Sequence, residues 1–335
     1  MGTIAGMELS TQLLVAEARR RGVGVEVLDA DDNFLRLTRA GRTDYVKQAT
    51  RTAADPYIAA LIMENKEVTK RVLRDHGLPV PAGFAVKSVE AAAPLWERFA
   101  GQGVVVKPRS TNFGEGVVVF KDESWRHGGS AAVARALELD SVALIEEFVP
   151  GPEYRFLVVG DETVAVLHRV PANVTGDGVR SIRALVEEKN RDPRRGSGYV
   201  TPLEKIRLGV VEDVHLRAQG LDFDSVPVAG RTIFLRENSN ISTGGDSLDF
   251  TDAVHAGYKE AAVRAARAVG ARICGADLII PDIQAAPGRY SIIELNFNPA
   301  LHIHDFPFVG QNRRVEGKVL DLLGFPAGVI EPDPA

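Results

Sequence analysis

The spacing of apolar side chains predicts a chain in which helices and strands alternate. Apolar positions recur at helical spacing over residues 8–21, and the apolar run that follows at residues 23–28 predicts a strand. A hairpin is predicted over residues 156–169, with its turn at Gly160 and Asp161. The other predicted helices cover residues 65–76, 131–137, 181–190, 253–269 and 315–323, and the other predicted strands cover residues 104–107, 117–120 and 142–148. This mixture indicates the α/β (α+β) fold class.

Two polar, glycine-containing segments, residues 191–205 and 238–252, interrupt this pattern and predict functional loops. The last residues, 332–335, predict a frayed tail. Gly22 and Gly24 are spaced like the start of a dinucleotide fingerprint. They follow a helix and precede a strand, however, and the third glycine is missing, so no nicotinamide site is indicated there.

Composition narrows the classes of protein that the chain can belong to. It has 335 residues and a net charge of -5, which is not typical of a general nucleic-acid binder. A single cysteine, Cys274, excludes an internal disulfide and a multi-cysteine zinc site, and its apolar surroundings predict an inert buried thiol. No apolar run of about 18 residues predicts a membrane span, and no basic, then apolar N-terminus predicts a secretion signal. A cytoplasmic protein is therefore expected.

Oxygen-bearing side chains interrupt two apolar runs near the end of the chain. Asp277 lies in the first run, and Glu294 and Asn296 lie in the second. Because strand side chains alternate between faces, Glu294 and Asn296 point the same way, and a neighbouring strand can bring Asp277 beside them. Hard oxygen ligands on one face suit Mg²⁺, especially when phosphates complete its shell. The sequence therefore predicts a metal site that serves a phosphate-bearing ligand.

Lys107 ends a predicted strand and is followed by a loop that contains Gly114 and Gly116. Glycines let backbone N–H groups approach anionic oxygens closely, so this loop is a candidate phosphate cover. A plain hairpin with a lysine that reaches out to solvent is an equal alternative. Lys66 begins a predicted helix and, taken alone, is most simply a solvated helix lysine. No Walker A motif occurs.

The strand that contains Glu146, Glu147, Phe148 and Val149 carries two carboxylates through an apolar run. One carboxylate is expected to face solvent, and the other to accept hydrogen bonds from an adenine or a ribose. The backbone near Val149 is positioned to pair with the edge of an adenine. Glu153 follows the next turn and is either a surface acid or an acceptor for ribose hydroxyls.

Two arginines and a histidine pair complete the candidate residues. Arg169 ends a predicted strand, where a guanidinium can bind phosphate or carboxylate bidentately or form a structural ion pair. Arg236 begins a segment rich in small polar residues, which either clasps a polar substrate or forms a surface loop. His302 and His304 share strand parity. Without a nearby cysteine or third histidine, a pair near a substrate carboxylate is favoured over a zinc site.

The order of these residues resembles that of the ATP-grasp superfamily. Several segments resemble, more closely, the ATP-grasp module of bifunctional glutathione synthetase, and the likeness covers nearly the whole chain. These segments are Met-Glu-Leu-Ser-Thr-Gln (7–12), Asp-Asn-Phe (32–34), Tyr-Val-Lys-Gln-Ala-Thr (45–50), Leu-Ile-Met-Glu-Asn-Lys (61–66), Ser-Asn-Ile-Ser-Thr-Gly-Gly-Asp-Ser (239–247) and Ile-Glu-Leu-Asn-Phe-Asn-Pro-Ala-Leu-His-Ile-His (293–304). Residues 169–179 and 190–196 also resemble the ATP-grasp part of cyanophycin synthetase.

The resemblance implies a role for each candidate residue. It implies an ATP-grasp fold with an N-terminal α/β lobe (1–60), a central ATP-grasp subdomain (61–148) and a C-terminal ATP-grasp subdomain (149–326). The implied ligands of ATP are Lys66, Lys107, Gly114, Gly116, Glu146, Glu147, Phe148, Val149 and Glu153. The implied metal ligands are Asp277, Glu294 and Asn296, which would hold two Mg²⁺ ions, with Mn²⁺ able to substitute. The implied catalytic residues are Arg169, Arg236 and Asn298.

The function implied is that of an ADP-forming carboxylate–amine ligase that works through an acyl phosphate. Its expected partners are small amino-acid or dipeptide substrates, without nucleic acid or membrane, and a homodimer is possible. The chain starts almost at the module, without the glutamate–cysteine ligase domain that precedes it in that family. Residues 305–311 also lack the tyrosine and lysine expected in close relatives. We therefore expect a ligase that joins glutamate or a γ-glutamyl substrate to an unusual amino acid.

Two alternatives remain open at this point. The first is glutathione synthesis from γ-glutamylcysteine and glycine. The second belongs to another class, a non-catalytic ATP-binding regulatory module. It predicts the loss of metal ligands from a retained fold, whereas both lysines and the acidic set are present in this chain.

Overall fold

A computed structural model describes residues 4–111 and 114–328. The N-terminal part consists of helix α1 and an antiparallel sheet in the order β1-β2-β3-β4. Its elements are α1 (Leu9–Arg20), β1 (Gly24–Asp29), β2 (Phe34–Arg39), β3 (Arg42–Lys47) and β4 (Arg51–Thr52). The helix and first strand confirm the predictions for residues 8–21 and 23–28. Strands β2 to β4 were not predicted, although the alternation Phe34-Leu35-Arg36-Leu37 is typical of a strand with one buried face.

A second sheet, in the order β5-β8-β6-β7, forms the central part. Two helices lead into it, and a third packs on one of its faces. The elements are α2 (Tyr57–Glu64), α3 (Lys66–Asp75), β5 (Gly83–Val86), α4 (Val89–Ala92), β6 (Val104–Pro108), β7 (Val118–Phe120), α5 (Trp125–Leu139) and β8 (Ala143–Glu147). Helix α5 begins six residues before its predicted start at residue 131. Gly128 and Gly129 make the first turns look unfavourable, but Trp96 packs where a Gly129 side chain would otherwise lie.

The largest sheet, in the order β15-β10-β9-β16-β17, lies in the C-terminal part, and β9 and β10 form the predicted hairpin. The elements here are β9 (Glu153–Val159), β10 (Glu162–Val170), β11 (Asn173–Thr175), α6 (Ile182–Lys189), β12 (Arg195–Gly196), β13 (Leu203–Glu204), α7 (Val210–Ala218), β14 (Thr232–Phe234), β15 (Asp246–Asp249), α8 (Ala256–Ala268), β16 (Ile273–Ile279), β17 (Ser291–Asn296), α9 (His302–Asp305) and α10 (Val315–Leu322). Short 3₁₀ turns occupy Ile4–Gly6, Ala93–Phe99 and Ile241–Thr243.

Apolar packing joins these parts. One core lies between α8 and the faces of β9, β16 and β17, where Phe156, Cys274 and Ile292 are fully buried. A second core includes residues of α1, β2 and β3 together with residues of β9, β16 and α10. The N-terminal part therefore does not have a separate core. The division at residues 60 and 148 stays a prediction, and each large sheet lies within one of the three ranges.

The structure corrects two predictions about local conformation. Residues 238–252 are not a continuous loop, because β15 pairs antiparallel with β10 and its polar side chains are buried. His302 and His304 do not share a strand face, because the chain after Pro299 turns into α9, where residues two apart point in different directions. The predicted tail at residues 332–335 lies outside the described residues. In the part of the chain that is described, no helix has the length and apolar character needed to cross a bilayer.

Candidate active site

Two lysines, Lys70 and Lys107, share one buried carboxylate where the central sheet meets α3, and Lys66 lies one turn before Lys70 on the same helix. Asn65 caps this helix by accepting hydrogen bonds from two backbone N–H groups, and one turn separates Lys66 from Lys70, so both share a face. Glu146 lies on β8, which pairs with β6, the strand that carries Lys107. The Lys70 ammonium donates to Glu146 Oε1, and Lys107 Nζ lies 2.9 Å from Glu146 Oε2.

Burial and charge oppose each other in this lysine cluster. Burial would raise the pKa of Glu146, but the charges of Lys107 and Lys70 outweigh it and lower the pKa to about 2. Burial lowers the pKa of Lys70 to about 7, against the attraction of Glu146. The pKa of Lys107 is raised, because the pull of Glu146 exceeds the opposing effect of burial. Two lysines share one carboxylate, so the cluster is suited to a further anion such as a phosphate.

The predicted oxygen ligands come together on β16 and β17. Asp277 faces Glu294 across the two strands, and Asn296 Nδ2 lies 3.4 Å from Asp277 Oδ2. Asp277 is fully buried, whereas Glu294 is partly open to solvent. Lys66 Nζ lies 3.4 Å from Glu294 Oε1 and donates to the carbonyl of Thr111 at 2.6 Å. One lysine thus links α3 to the strands that carry the oxygen ligands.

Two arginines neutralise the buried carboxylate of Asp277. Arg155, on β9, donates to both carboxylate oxygens, with Nη2 2.8 Å from Oδ2. Arg169, at the end of β10, places its Nη2 2.9 Å from the same Oδ2. Burial would raise the pKa of Asp277, but Arg155 and Arg169 keep it lowered. Sequence reasoning missed Arg155, although a charge inside the apolar run Tyr154-Arg155-Phe156-Leu157 was a signal.

These residues fit a divalent cation. The donor set is two carboxylates and one side-chain amide, an oxygen-rich set of the kind that Mg²⁺ prefers. Its two carboxylates are paired here with two guanidiniums and with Lys66, so a metal would share these oxygens with side-chain cations and would need the negative charge of a bound phosphate. Among the described residues no group of three His, Cys, Asp or Glu side chains forms a metal cage. The metal would therefore need oxygens from a ligand as well.

The side chains predicted to contact the nucleotide differ in whether they already have partners within the protein. Glu146 is committed to the lysines, and Glu147 Oε1 accepts from the backbone N–H of Ala82 at 3.1 Å. The N–H of Phe148 donates to the carbonyl of Gly103 at 2.9 Å, and Val149 is buried. Glu153 contacts Arg169 and accepts from Ser239 Oγ at 2.8 Å. Neither Glu146 nor Glu153 is therefore an open carboxylate, and their roles toward adenine and ribose stay predictions.

The loop that contains Gly114 and Gly116 reaches from the central part to the C-terminal part, over the cleft between the lysines and the oxygen ligands. Gly114 and Gly116 both have positive φ, at 76° and 73°, which side-chain-bearing residues rarely adopt. A Cβ atom at Gly114 would lie 3.0 Å from Nδ2 of Asn238, in the segment that precedes β15. The loop of the central part thus lies against the C-terminal part, as a cover over the cleft requires. Residues 112 and 113 of this loop lie outside the described residues.

Two of the predicted catalytic residues, Arg236 and Asn298, have hydrogen-bond partners away from Asp277. The Arg236 guanidinium donates to Glu212, which also accepts the N–H of Gly209 at the start of α7. This places Arg236 on the helix side rather than among the Asp277 contacts. Asn298 lies two residues beyond Asn296; its Oδ1 accepts from Thr50 Oγ1 at 2.8 Å, and its Nδ2 donates to Gln48 at 3.1 Å. Asn298 therefore connects the end of β17 to the N-terminal part.

Comparisons with known proteins agree with this geometry. A family profile described as an ATP-grasp-like domain matches residues 5–58. The glutathione biosynthesis bifunctional protein GshAB of Clostridium perfringens is 52% identical over 319 residues, which is 95% of this chain and 41% of that protein. The GshAB of Desulfotalea psychrophila is 50% identical over 321 residues, again 95% of this chain and 41% of that protein.

A solved structure of a similar protein supports the assignment of the fold. The crystal structure of a bifunctional glutathione synthetase from Pasteurella multocida matches with a TM-score of 0.74 and 45% identity, covering 96% of this chain and 44% of that chain. This chain thus spans about two fifths of the length of the curated relatives that it matches. The chain therefore has the ATP-grasp fold and resembles, over nearly its whole length, part of the bifunctional glutathione synthetase.

Proposed function

We propose that this chain is an ADP-forming carboxylate–amine ligase that makes glutathione from γ-glutamylcysteine and glycine. The observation that carries the ligase proposal is the Lys66–Glu294 contact of 3.4 Å. It brings the cations of α3 and β6 to the oxygen ligands of β16 and β17, so one cleft offers groups for both a triphosphate and its metal.

Identity to named relatives supports the choice of substrates. The sequence alone favoured a ligase that joins glutamate or a γ-glutamyl substrate to an unusual amino acid. Proteins named for glutathione biosynthesis are 50% and 52% identical over 95% of this chain, which favours the glutathione alternative. The differing segment at residues 305–311 carries less weight than this identity over the whole chain.

In this proposal Lys66, Lys70 and Lys107 hold the phosphates of ATP, and the segment from Glu146 to Val149 lies along the adenine. Asp277, Glu294 and Asn296 would hold Mg²⁺. We expect two ions, and we expect Mn²⁺ to be able to replace Mg²⁺. A bound metal would supply positive charge to the phosphate oxygens. A cytoplasmic location and a homodimer stay predictions from the sequence.

The chemistry has two steps. An oxygen of the cysteinyl carboxylate attacks the γ-phosphorus, the bond to the β-phosphate oxygen breaks, and ADP leaves an acyl phosphate behind. The amine of glycine then attacks the acyl carbon, loses a proton, and expels inorganic phosphate as the amide bond forms. In this proposal Arg155 holds Asp277 in place, and Arg169, at the end of β10, stabilises negative charge that develops on phosphate and carbonyl oxygens.

An acyl phosphate reacts readily with water, so the cleft has to close during the reaction. The loop that contains Gly114 and Gly116 already lies against Asn238 of the opposite part. A closed loop would exclude water and add backbone N–H groups to the phosphate site.

The test is ADP release with γ-glutamylcysteine, glycine, ATP and Mg²⁺, with mass spectrometry of the product. Glutathione together with ADP is expected, and ADP formation should depend on both substrates. A panel of other amines and of glutamate itself as the carboxylate tests the earlier expectation. Release of AMP would contradict the acyl-phosphate route, and ATP binding without ADP release from any pair would indicate a non-catalytic module.

A further inference from the structure

Strained backbone is concentrated around one residue of the N-terminal part, Glu8. In the described part of the chain, six non-glycine residues have positive φ. Three of them form hydrogen bonds with Glu8 or Leu9, and a fourth follows one of these three in the chain. These four are Asn33, Gln48, Ala49 and Tyr199. Such strain persists only where surrounding contacts enforce it, and it is often found at functional sites.

A closed set of hydrogen bonds enforces this conformation. The Glu8 N–H donates to Asn33 Oδ1 at 2.7 Å, and the Gln48 N–H donates to the Asn33 carbonyl at 3.0 Å. Gln48 Nε2 donates to Glu8 Oε1 at 2.9 Å. The Leu9 N–H donates to the carbonyl of Tyr199 at 2.9 Å. The backbone at Glu8 and Leu9 is therefore held by Asn33 and Tyr199, and Gln48 holds the Glu8 side chain.

The carboxylate of Glu8 makes few contacts within the fold. Glu8 is the N-cap residue of α1, yet its side chain does not accept from the N–H groups of that helix. Within the described residues it accepts from the Gln48 amide, and no lysine, arginine or histidine there forms an ion pair with it. The residue is half-buried. A half-buried carboxylate held by a neutral amide is prepared to bind a cation from outside the protein.

The position of Glu8 relates this carboxylate to the reaction. Gln48 Oε1 accepts from Asn298 Nδ2 at 3.1 Å, so Glu8 lies two hydrogen-bonded side chains away from the end of β17. On its other side, burial raises the pKa of Tyr199, whose polar neighbours are Ser242, Glu204, Glu8 and Arg207. Glu8 therefore lies near the end of β17, on the side that faces the polar segment before β15.

We infer that Glu8 binds the α-ammonium group of the γ-glutamyl substrate, with Gln48 as its positioning residue. The inference rests on the proposed function and specifies how the substrate is recognised. In γ-glutamylcysteine this ammonium lies at the end remote from the carboxylate that is activated, which matches a site set back from β17. The attacking amine must be uncharged when it reacts, so a carboxylate that pairs with a cation suits the ammonium that does not react.

The test combines one protein change with one substrate change. Glu8→Gln keeps the shape and an acceptor for Gln48 but removes the charge. Glutarylcysteine is γ-glutamylcysteine without its α-amino group. With the wild-type protein, kcat/KM should be about 10- to 100-fold lower for glutarylcysteine than for γ-glutamylcysteine, as loss of a charge-assisted hydrogen bond predicts. Glu8→Gln should lose a similar factor with γ-glutamylcysteine and almost nothing with glutarylcysteine.

A matched control separates charge loss from damage to the fold. Glu26→Gln makes the same change in the N-terminal sheet, where Glu26 pairs with Arg36 on the exposed surface. This variant should behave like the wild type with both substrates. Calorimetric titration with γ-glutamylcysteine, without glycine or turnover, should show the same pattern in the dissociation constants. Thermal melting checks that Glu8→Gln is folded.

Three outcomes would count against the inference. An equal loss by Glu8→Gln with both substrates would overturn it while leaving the ligase function in place. A loss confined to the KM for glycine would assign Glu8 to the attacking amine and would also overturn it. A wild-type protein that forms no glutathione from γ-glutamylcysteine would overturn the proposed function, and this inference with it.

Discussion

Lys107 Nζ lies 2.9 Å from Glu146 Oε2, and the other oxygen of this carboxylate accepts from Lys70. The buried acid Glu146, on β8, thus connects the end of β6 with helix α3. Without Glu146 two ammonium groups would be buried side by side, at a large cost. The carboxylate therefore allows both lysines to remain beside the cleft where phosphates are proposed to bind.

The first prediction concerns Lys107. Lys107→Met should raise the dissociation constant for ATP by about 10- to 100-fold, because a charge-assisted contact with a phosphate is lost while Glu146 keeps Lys70 as its partner. Isothermal titration with ATP and Mg²⁺ measures the change. Lys121→Met is the control, since Lys121 lies on the exposed surface beside Glu237. Equal affinities of wild type and Lys107→Met would refute the phosphate contact.

The second prediction concerns Glu294. Glu294→Gln should lower kcat for ADP release by about 100-fold or more, because an amide replaces an ionised oxygen ligand in a set of three. The Mg²⁺ concentration that gives half-maximal rate should also rise. Circular dichroism should be unchanged, and the exposed acid Glu162, changed to Gln, serves as the control. Near-normal turnover would remove Glu294 from the metal ligands.

The third prediction concerns the space that Gly275 leaves for Arg155. A Cβ atom at Gly275 would lie 3.0 Å from Arg155 Cδ and 3.1 Å from its Nη1. Because this guanidinium is buried and bound to both oxygens of Asp277, it cannot move without weakening those bonds. Gly275→Ala should cost about 1–3 kcal/mol of stability and lower kcat at least about 10-fold.

Gly288→Ala is the control for that change, because nothing lies within 4 Å of a Cβ atom at Gly288. Denaturant unfolding measures stability, and initial rates of ADP release measure kcat. If Gly275→Ala had the stability and rate of the wild type, the position of Arg155 would not matter for the reaction.

The fourth prediction concerns the pH dependence of stability. Burial, together with the neighbouring Glu316, raises the pKa of Asp305 to about 8. The folded protein thus keeps a proton that the unfolded chain releases near pH 4. Since the folded state binds more protons between these values, this carboxyl group stabilises the fold at low pH, and the stabilisation is lost as pH rises through that window.

Asp305→Asn removes this titration and keeps the oxygen that accepts from the N–H of Val315 at 2.9 Å. From pH 5 to 8, wild-type stability should fall relative to the variant, by at most about 1.4 kcal/mol per pH unit for one proton. Burial lowers the pKa values of His302 and His304 to about 4 and about 3. Both histidines are present in the wild type and in the variant, so their contribution to the pH dependence of stability cancels in the comparison. Parallel stability profiles would contradict the raised pKa.

Local patterns were enough for much of the fold. The helix at residues 8–21, the hairpin at 156–169 and the strands that carry Lys107 and Asp277 were predicted because their apolar periodicity is a local property. The start of helix α5 and strand β15 were misjudged. In α5, Trp96 and Phe120 pack against Gly129 and Gly128, and in β15 Lys189 and Arg195 pair with the buried acid Asp246. Such compensating contacts come from residues that are distant in sequence.

By itself, the sequence determined which side chains could carry the chemistry: Lys66, Lys107, Asp277, Glu294 and Asn296 were selected by residue type and strand or helix position. Only the tertiary structure decided their partners. Asp277 is bound by Arg155 and Arg169, Glu146 by two lysines, and Glu8 by Gln48. The reason is physical: a buried charge must be matched by an opposite charge or a hydrogen bond, and folding draws that match from any part of the chain.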